Sequence, residues 1–178
     1  MTEHGLAAGN RGLRLVNESA DSREFAALVD AYGASVLAML RRLCGNCHDA
    51  EDVFQDTAVR VWRHSAGRPK LSNPRAWLMT VAYRAFLDHR KRRPRHEELD
   101  EKSDDRSVPP DACVEHAEDV ERLNAAVAKL PEPIREVVVL HYSGGLSLRR
   151  TAEAMEISEG TVKSRLNAAL KQLRSLMQ

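Results

Sequence analysis

The sequence predicts an all-α protein built from two small helical domains that a flexible acidic linker joins. Aromatic residues make up only 4% of the 178 residues, and the abundance of Ala, Leu, Val, Glu and Arg favours helices over a β-sandwich. Apolar residues recur at steps of three and four along most of the chain, as in amphipathic helices. Between Arg95 and Asp111 this pattern gives way to acidic residues and a Pro109-Pro110 pair, which indicates a linker.

Charge and hydropathy narrow the classes of function. The formal net charge is only +1, so any affinity for nucleic acid must come from the distribution of charge and not from its total. No stretch approaches about 18 consecutive apolar residues and no charged-then-apolar leader opens the chain. We therefore expect a cytoplasmic protein that does not span a membrane.

The periodicity divides the chain into four parts. Residues 1–20 have no sustained pattern and are expected to form a mobile extension. Residues 21–93 form the first predicted domain, residues 94–112 the linker, and residues 113–178 the second domain.

The first domain begins with two strongly patterned helices. Asp21 or Ser22 should cap the first, which ends at Gly45. Its apolar stripe comprises Phe25, Leu28, Val29, Tyr32, Val36, Leu40 and Leu43. The second helix should start at Asp49. Its predicted inward side chains are Ala50, Val53, Phe54, Thr57, Ala58, Val61 and Trp62.

The first turns of the second helix are acidic on their predicted outer face, which comprises Asp49, Glu51, Asp52, Gln55 and Asp56. The positive end of a helix favours such carboxylates by about 0.3–1 kcal/mol each. A dense acidic face on a rigid helix is also suited to docking a basic partner. The pattern alone does not decide between these interpretations.

The third helix combines cations with aromatic rings. The loop 66–72 contains Gly67 and Pro69 and breaks the preceding helix, and Asn73 then caps a helix with Pro74 in its first position. Its predicted buried residues are Leu78, Val81, Ala82 and Ala85. One flank carries Trp77, Thr80, Arg84 and Lys91, followed by a basic cluster over residues 89–93.

Cations at that end of the helix either complement the helix dipole or bind the phosphates of single-stranded DNA. Single strands need cations for phosphates and planar faces, here Trp77 and Tyr83, for unstacked bases, worth about 1–3 kcal/mol per base. Both interpretations stay open at this stage.

The second domain is predicted to contain a helix-turn-helix. Val120, Leu123, Val127 and Leu130 form a helical stripe that Pro131 and Pro133 break, and a core helix then runs to Gly144-Gly145. Ser147 and Ser158 should cap two further helices that a turn at residues 155–157 joins. The last helix has an apolar stripe of Val162, Leu166, Ala169, Leu173 and Leu176.

The opposite face of the last helix is short and polar, with Gly160, Ser164, Asn167 and Lys171, and it has Lys163, Arg165 and Arg174 at its margins. Such a helix fits the DNA major groove, about 12 Å wide. The simpler interpretation is an amphipathic helix with a solvated face.

Cys44-Gly45-Asn46-Cys47-His48 matches the C-x-x-C-H pattern of haem attachment. That chemistry requires export, and a zinc site would need a further ligand, while Cys113 is distant in sequence. We expect a helix end and a turn there, with a redox-sensitive thiol pair as the alternative. No phosphate-binding Gly loop, metal motif or activated nucleophile is evident, so we expect neither cofactor, metal nor catalysis.

Three segments together resemble the extracytoplasmic-function (ECF) sigma factors, a two-domain subclass of the sigma-70 family. They are DAEDVFQDTAVRVWR, NPRAWLMTVAYRAFLDHRKRR and KLPEPIREVVVLHYSGGLSLRRTAEAMEISEGTVKSRLNAALKQLR, and the resemblance covers residues 21–178. A stand-alone helix-turn-helix regulator is the first alternative, and a redox protein using Cys44, Cys47 and His48 is the second.

The resemblance implies partners and sites. The acidic face Asp49, Glu51, Asp52, Gln55 and Asp56 would dock on core RNA polymerase, at the β′ clamp helices, with the β subunit as a further contact. Melted −10 promoter DNA would meet Ser72, Asn73, Trp77, Thr80, Tyr83, Arg84 and Lys91. The −35 duplex would meet Gly160, Thr161, Lys163, Ser164, Arg165, Asn167 and Lys171. The linker would thread through the polymerase, and an anti-sigma factor, often membrane-anchored, would silence the protein.

Three positions, one in the third helix and two in the last, depart from the family pattern. Arg84 stands where relatives often have Asn, and Ala168 and Leu170 stand where further arginines are frequent. The resemblance therefore does not specify which bases are read.

Overall fold

The computed structural model describes residues 18–65, 71–92 and 117–177, and every regular element in these ranges is helical. The helices are α1 (Glu18–Cys44), α2 (Cys47–Ser65), α3 (Pro74–Arg92), α4 (Ala117–Ala128), α5 (Glu132–Val138), α6 (Leu148–Met155) and α7 (Glu159–Leu176), with a π-helical turn over Val139–Ser143. The predicted all-α class with two helical regions is confirmed. The extension before Glu18, the loop at 66–70 and the linker lie outside the described residues.

The first region is a bundle in which α1, α2 and α3 pack against one another. Its buried core includes Val36, Leu40, Val53, Val61 and Met79, all no more than 1% exposed. Two predicted boundaries were wrong by a few residues: α1 already begins at Glu18, and α2 begins at Cys47.

One predicted core residue of α2 lies at the surface. The side chain of Trp62 is 45% exposed, and its ring packs edge-on against Phe25 of α1 at 5.6 Å between centroids. Phe25 is itself only partly buried. Trp62 therefore sits at the margin of the α1–α2 contact.

The second region packs α7 against α4, α5 and α6. Of the predicted α4 stripe, Val127 and Leu130 are buried, but Val120 and Leu123 are 48% and 43% exposed, because α4 enters the core through its C-terminal half. The predicted core helix is confirmed, although it ends as a π-helical turn in which the Gly144 N–H donates to the Val139 carbonyl at 2.8 Å.

The two regions contact each other. Helix α1 packs on the π-helical turn and α3 packs on α6, and one cluster of buried apolar side chains extends through both regions. This contact places α3, the helix with the predicted −10 residues, beside the helix-turn-helix.

Among the described residues, no helix is both long enough and apolar enough to cross a membrane.

Candidate nucleic-acid interface

The helix-turn-helix is fixed by two serine caps, as predicted. The Ser147 hydroxyl accepts the Arg150 N–H at 3.2 Å, and the Ser158 hydroxyl accepts the Thr161 N–H at 3.0 Å. Between the helices, Glu156 adopts a left-handed conformation with φ of 55°, which ends α6 and turns the chain toward α7. Local hydrogen bonds therefore set where α7 begins.

The polar face of α7 lies in solvent. Val162, Leu166 and Ala169 are buried. On the outer side, Thr161 and Arg165 are half-buried. The other predicted DNA contacts are exposed: Gly160, Lys163, Ser164, Asn167 and Lys171. The predicted stripe fails only at its end, where Leu176 is 46% exposed because the helix there extends beyond its neighbours. Hydroxyl, amide and ammonium groups thus line an accessible helix of the kind that enters a major groove.

Helix α3 starts as predicted. The Asn73 side-chain oxygen accepts the Ala76 N–H at 2.9 Å, and Pro74 is the first residue of the helix. The structure leaves four of the predicted −10 residues exposed and two half-buried. The exposed ones are Ser72, Asn73, Arg84 and Lys91, and the half-buried ones are Trp77 and Thr80.

The position of Tyr83 contradicts its predicted role as a ring on which an unstacked base stacks. Its side chain is only 2% exposed, and its hydroxyl donates to a Glu136 carboxylate oxygen at 2.5 Å. Burial raises the pKa of Tyr83 far above its ordinary value, and the hydrogen bond and charge of Glu136 raise it further. In this arrangement neither face of the ring is open to a base, because the side chain is buried and its hydroxyl is bonded to α5 of the other region.

Three further residues complete an interdomain cluster around Tyr83. Arg90 of α3 donates to the second Glu136 oxygen at 2.6 Å and pairs with Glu132 of α5, while its guanidinium lies 5.3 Å from the centre of the Phe86 ring. Burial lowers the pKa of Arg90, but the bonds and charges of Glu136 and Glu132 raise it overall. The sequence contained one signal of this cluster: Glu136 interrupts an otherwise apolar helix face, and such an acid needs a buried partner.

Most of the acidic face of α2 is accessible. Glu51, Asp52 and Gln55 are exposed and Asp56 is half-buried. The carboxylates have basic side chains as neighbours in three loose pairs: Arg41–Glu51 at 3.8 Å, His48–Asp52 at 3.5 Å and Arg92–Asp56 at 3.6 Å. Surface pairs of this type are worth about 0–1 kcal/mol, so a basic partner can displace them.

Asp49 does not belong to that face. It is 5% exposed, its carboxylate accepts the Asn46 side-chain amide at 2.7 Å, and it lies 3.5 Å from His89 Nε2. The prediction of an outward Asp49 was wrong, because the first turn of α2 is closed by Asn46 and backed by α3.

The C-x-x-C segment forms the predicted helix end and turn. Cys44 ends α1, Cys47 opens α2, and Gly45 between them has a φ of 77°. Both thiols are half-buried, and Cys113 lies outside the described residues. In the part of the chain that the structure describes, no three His, Cys, Asp or Glu side chains are grouped so that they could hold a metal ion.

An exposed polar recognition helix in one helical region and an acidic helix beside a basic one in the other define a two-domain helical DNA-binding protein. Comparison with protein families refines this class. The family model of sigma-70 region 2 matches residues 28–96, and that of sigma-70 region 4 matches residues 121–173.

Individual proteins agree with the family models. The ECF RNA polymerase sigma factor SigL of Mycobacterium tuberculosis is 35% identical over 164 residues, covering 90% of this chain and 92% of the relative. SigW of Bacillus subtilis, also an ECF RNA polymerase sigma factor, is 32% identical over 173 residues, covering 88% and 92%. The chain belongs to the ECF sigma factors of the sigma-70 family. It is an RNA polymerase sigma factor that acts in promoter-specific transcription initiation.

Solved structures share the architecture. The sigma factor RpoE, in complex with the anti-sigma factor NepR from Bartonella quintana, superposes with a TM-score of 0.68 and 25% identity, covering 88% of this chain and 95% of RpoE. CnrH, in complex with the cytosolic domain of CnrY, gives a TM-score of 0.60 and 25% identity, covering 92% and 96%.

Proposed function

We propose that α7 reads the −35 element as duplex DNA. Its candidate contacts are Gly160, Thr161, Lys163, Ser164, Arg165, Asn167 and Lys171. The observation that carries this proposal is the exposed polar face of a helix whose start is capped by Ser158. Hydroxyl and amide groups suit base edges, while Lys and Arg suit phosphates.

The exposed edge of α3 is proposed to hold the melted −10 strand. Its candidate contacts are Ser72, Asn73, Trp77, Thr80, Arg84 and Lys91. Arg84 and Lys91 are exposed cations, and Trp77 is a half-buried ring within reach of an unstacked base. Tyr83 is left out of this set because its side chain is buried and its hydroxyl is bonded to Glu136 of α5.

Docking on core polymerase is assigned to Glu51, Asp52, Gln55 and Asp56, with the β′ clamp helices as the principal contact and the β subunit as a further one. Exposed carboxylates of one sign raise the rate of encounter with a basic surface and fix its register. Asp49 serves the helix start instead. The division into a −10 domain at residues 21–93, a linker at 94–112 and a −35 domain at 113–178 is part of the same proposal.

The protein would perform no catalysis of its own, since the polymerase supplies the active site and sigma supplies binding energy for start-site selection and strand opening. We place it in the cytoplasm with the polymerase. RpoE was solved with the anti-sigma factor NepR, and CnrH with the cytosolic domain of CnrY. By analogy we propose an anti-sigma factor here too, which would hold the protein at the inner face of the membrane if it is membrane-anchored.

Run-off transcription tests the proposal. Core polymerase with this protein should produce specific transcripts from cognate promoters, and core polymerase alone should not. A stand-alone helix-turn-helix regulator would bind duplex DNA without changing the start sites that core polymerase uses. That outcome, or no transcript across candidate promoters, would contradict the proposed division of sites.

A further inference from the structure

Cys44 and Cys47 flank the turn that joins α1 to α2, and the proposed function uses neither. α1 ends at Cys44 and α2 begins at Cys47. Both sulfur atoms are thiols in this structure, and both side chains are half-buried, so they are partly open to small reagents. The C-x-x-C spacing is that of dithiol pairs that cycle between thiol and disulfide. In a reducing cytoplasm, where we place this protein, disulfides are transient and serve catalysis or sensing.

The turn holds the two cysteines near each other. α1 and α2 pack together with only residues 45 and 46 between them, as in an αα-hairpin. The Gly45 N–H still donates to the Arg41 carbonyl of α1 at 3.0 Å, while the Asn46 carbonyl already accepts the Ala50 N–H at 3.4 Å. The chain therefore reverses at the Gly45–Asn46 peptide. A reversal over four residues brings the first and fourth Cα atoms to within about 7 Å, and a disulfide needs about 4.4–6.8 Å between them.

Gly45 can absorb the remaining adjustment. Its φ of 77° lies in the left-handed region, which glycine adopts and leaves at little steric cost. Apart from its chain neighbours, no atom of the described residues lies within 4 Å of a Cβ added to Gly45, so the turn has room on this side. We therefore expect the bridge to close without displacing α1 or α2 as whole helices.

The loop that the bridge would close contains Asn46, which caps the proposed docking helix. The Asn46 side-chain amide donates to the Asp49 carboxylate at 2.7 Å, and its side-chain oxygen accepts the Asp49 N–H at 2.8 Å. These two bonds depend on where the backbone places Asn46. Glu51 and Asp52 of the acidic docking face follow Asp49 by two and three residues. A change at the turn therefore reaches the docking face within one helical turn.

We propose that Cys44 and Cys47 form a thiol–disulfide switch, in which oxidation by a low-molecular-weight disulfide weakens binding to core polymerase. The inference rests on the proposed function, because it assumes that α2 docks on the polymerase. The thiolate of one cysteine attacks a sulfur atom of the oxidant RSSR, forms a mixed disulfide and releases one RS⁻. The thiolate of the other cysteine then attacks the protein sulfur of the mixed disulfide and expels the second RS⁻. Together the two cysteines lose two protons and two electrons, and the oxidant leaves as two RSH.

The bridge acts on binding through the cap of α2. It draws the two sulfur atoms to about 2 Å from each other and turns the Asn46 backbone between them, so that Asn46 no longer meets Asp49. A helix start without its cap leaves backbone N–H groups unpaired and frays. Glu51 and Asp52 then lose their fixed positions. The loss of one helix cap corresponds to a change in Kd on the order of fivefold.

The first test follows the thiols in the full-length chain with Cys113→Ser, in which Cys44 and Cys47 are the remaining cysteines. After equilibration with mixtures of reduced and oxidised glutathione and alkylation of the residual thiols, mass spectrometry should find one intramolecular disulfide. Cys44→Ser and Cys47→Ser in the same background should form only mixed disulfides with glutathione. Hydrogen exchange at the Asp49 amide, which bonds to Asn46 in the reduced protein, should become faster when the bridge forms.

The second test measures binding after the oxidant has been removed from the Cys113→Ser protein. Fluorescence titration with core polymerase should give a Kd about fivefold higher for the oxidised protein than for the reduced protein, and dithiothreitol should restore the lower value. The matched control, Cys44→Ser/Cys47→Ser in the same background, should have one Kd after either treatment. If circular dichroism shows that this control is unfolded, Cys44→Ala/Cys47→Ala replaces it.

Asn46→Ala in the Cys113→Ser background tests whether the cap transmits the effect. In the reduced state this variant should already show the higher Kd, and oxidation should raise its Kd little further because the cap is absent. A full additional rise on oxidation would contradict transmission through Asn46 and Asp49.

The switch would be overturned if no bond between Cys44 and Cys47 formed in the most oxidising mixture, or if the bridged protein kept the Kd of the reduced one. Failure of the proposed function is a separate result: reduced wild-type protein would then neither bind core polymerase nor give specific transcripts. The mass and exchange measurements involve neither polymerase nor promoter, so they report on the bridge in either case.

Discussion

Asn46 and Asp49 form two hydrogen bonds with each other across the first turn of α2. The Asn46 side-chain amide donates to the Asp49 carboxylate at 2.7 Å, and its side-chain oxygen accepts the Asp49 N–H at 2.8 Å. This reciprocal pair resembles a capping box, with the acid in the third helical position. Asp49 therefore stabilises the start of the proposed docking helix. The carboxylates that follow it in the sequence are not needed for this cap.

We expect Asp49→Ala to lower the free energy of unfolding by about 1–3 kcal/mol, because it removes one half of this pair and leaves the half-buried Asn46 amide without the acceptor it has in the structure. Urea denaturation measures the loss. Asp52→Ala is the matched control, because Asp52 is exposed, and it should change stability by less than about 0.5 kcal/mol. Equal losses in the two variants would show that Asp49 has no special role in the helix start.

Ser158→Ala should cost about 1 kcal/mol of stability, because the Thr161 N–H would lose its capping acceptor at the start of α7. Binding of a −35 duplex should weaken as well, since the cap fixes Gly160 and Thr161. Thermal unfolding and fluorescence anisotropy give the two values. Ser175→Ala, an exposed serine near the end of α7, should leave both unchanged; a similar effect there would contradict the role of the cap.

Lys171→Ala should weaken DNA binding across sequences and lower the slope of log K against log salt by about one, if Lys171 neutralises one phosphate. Equilibrium titrations at several salt concentrations provide the slope. Lys129→Ala removes an exposed lysine outside α7 and should keep the wild-type slope. An unchanged slope for Lys171→Ala would place its ammonium group in solvent.

Reversing Asp52 and Asp56 together to Lys should abolish binding to core polymerase and leave the fold intact, because both side chains lie outside the buried core. A pull-down with core polymerase tests binding, and circular dichroism tests the fold. The control reverses two exposed acids of α1, Glu24 and Asp30, with the same change in charge. If the Asp52/Asp56 variant still binds core polymerase, the acidic face does not dock the polymerase and only complements the helix dipole.

Stability should fall at alkaline pH through Tyr83. Its pKa is raised by burial and by Glu136, against the opposing charges of Arg90 and Arg165. Above the ordinary tyrosine pKa of about 10, the unfolded chain releases this proton while the folded chain keeps it, so the folded state loses stability as pH rises.

Between about pH 9 and pH 11, Tyr83→Phe should therefore lose less stability than wild type. The phenolate absorbance of the two folded proteins should also coincide in that range, because Tyr83 does not ionise while folded. A smaller phenolate signal in the variant would mean that the Tyr83 hydroxyl is accessible.

The features predicted correctly from sequence depend on neighbours in the chain. Ser147 and Ser158 cap their helices through bonds to residues three positions later, and Gly45 ends a helix through its own backbone conformation. The polar face of α7 follows from the helical period alone. These signals are local, so one sequence is sufficient to read them.

The errors depend on contacts between distant segments. Asp49 is buried and has His89 of α3 against it. Tyr83 is buried and donates a hydrogen bond from its hydroxyl to Glu136, 53 residues later. Periodicity identifies a hydrophobic face but does not specify what covers it, so Trp62 and Val120 were assigned to the core although each lies at the edge of a packed helix.

The boundary between the two domains has a consequence for hybrid factors assembled from different relatives. A chimera that takes its −10 half from this protein and its −35 half from a homologue lacking acids at positions 132 and 136 would leave Arg90 and Tyr83 facing an unmatched surface. In such a hybrid the Tyr83 hydroxyl and the Arg90 guanidinium would lose the acceptors that join the two domains here, so the contact between its domains would be weaker.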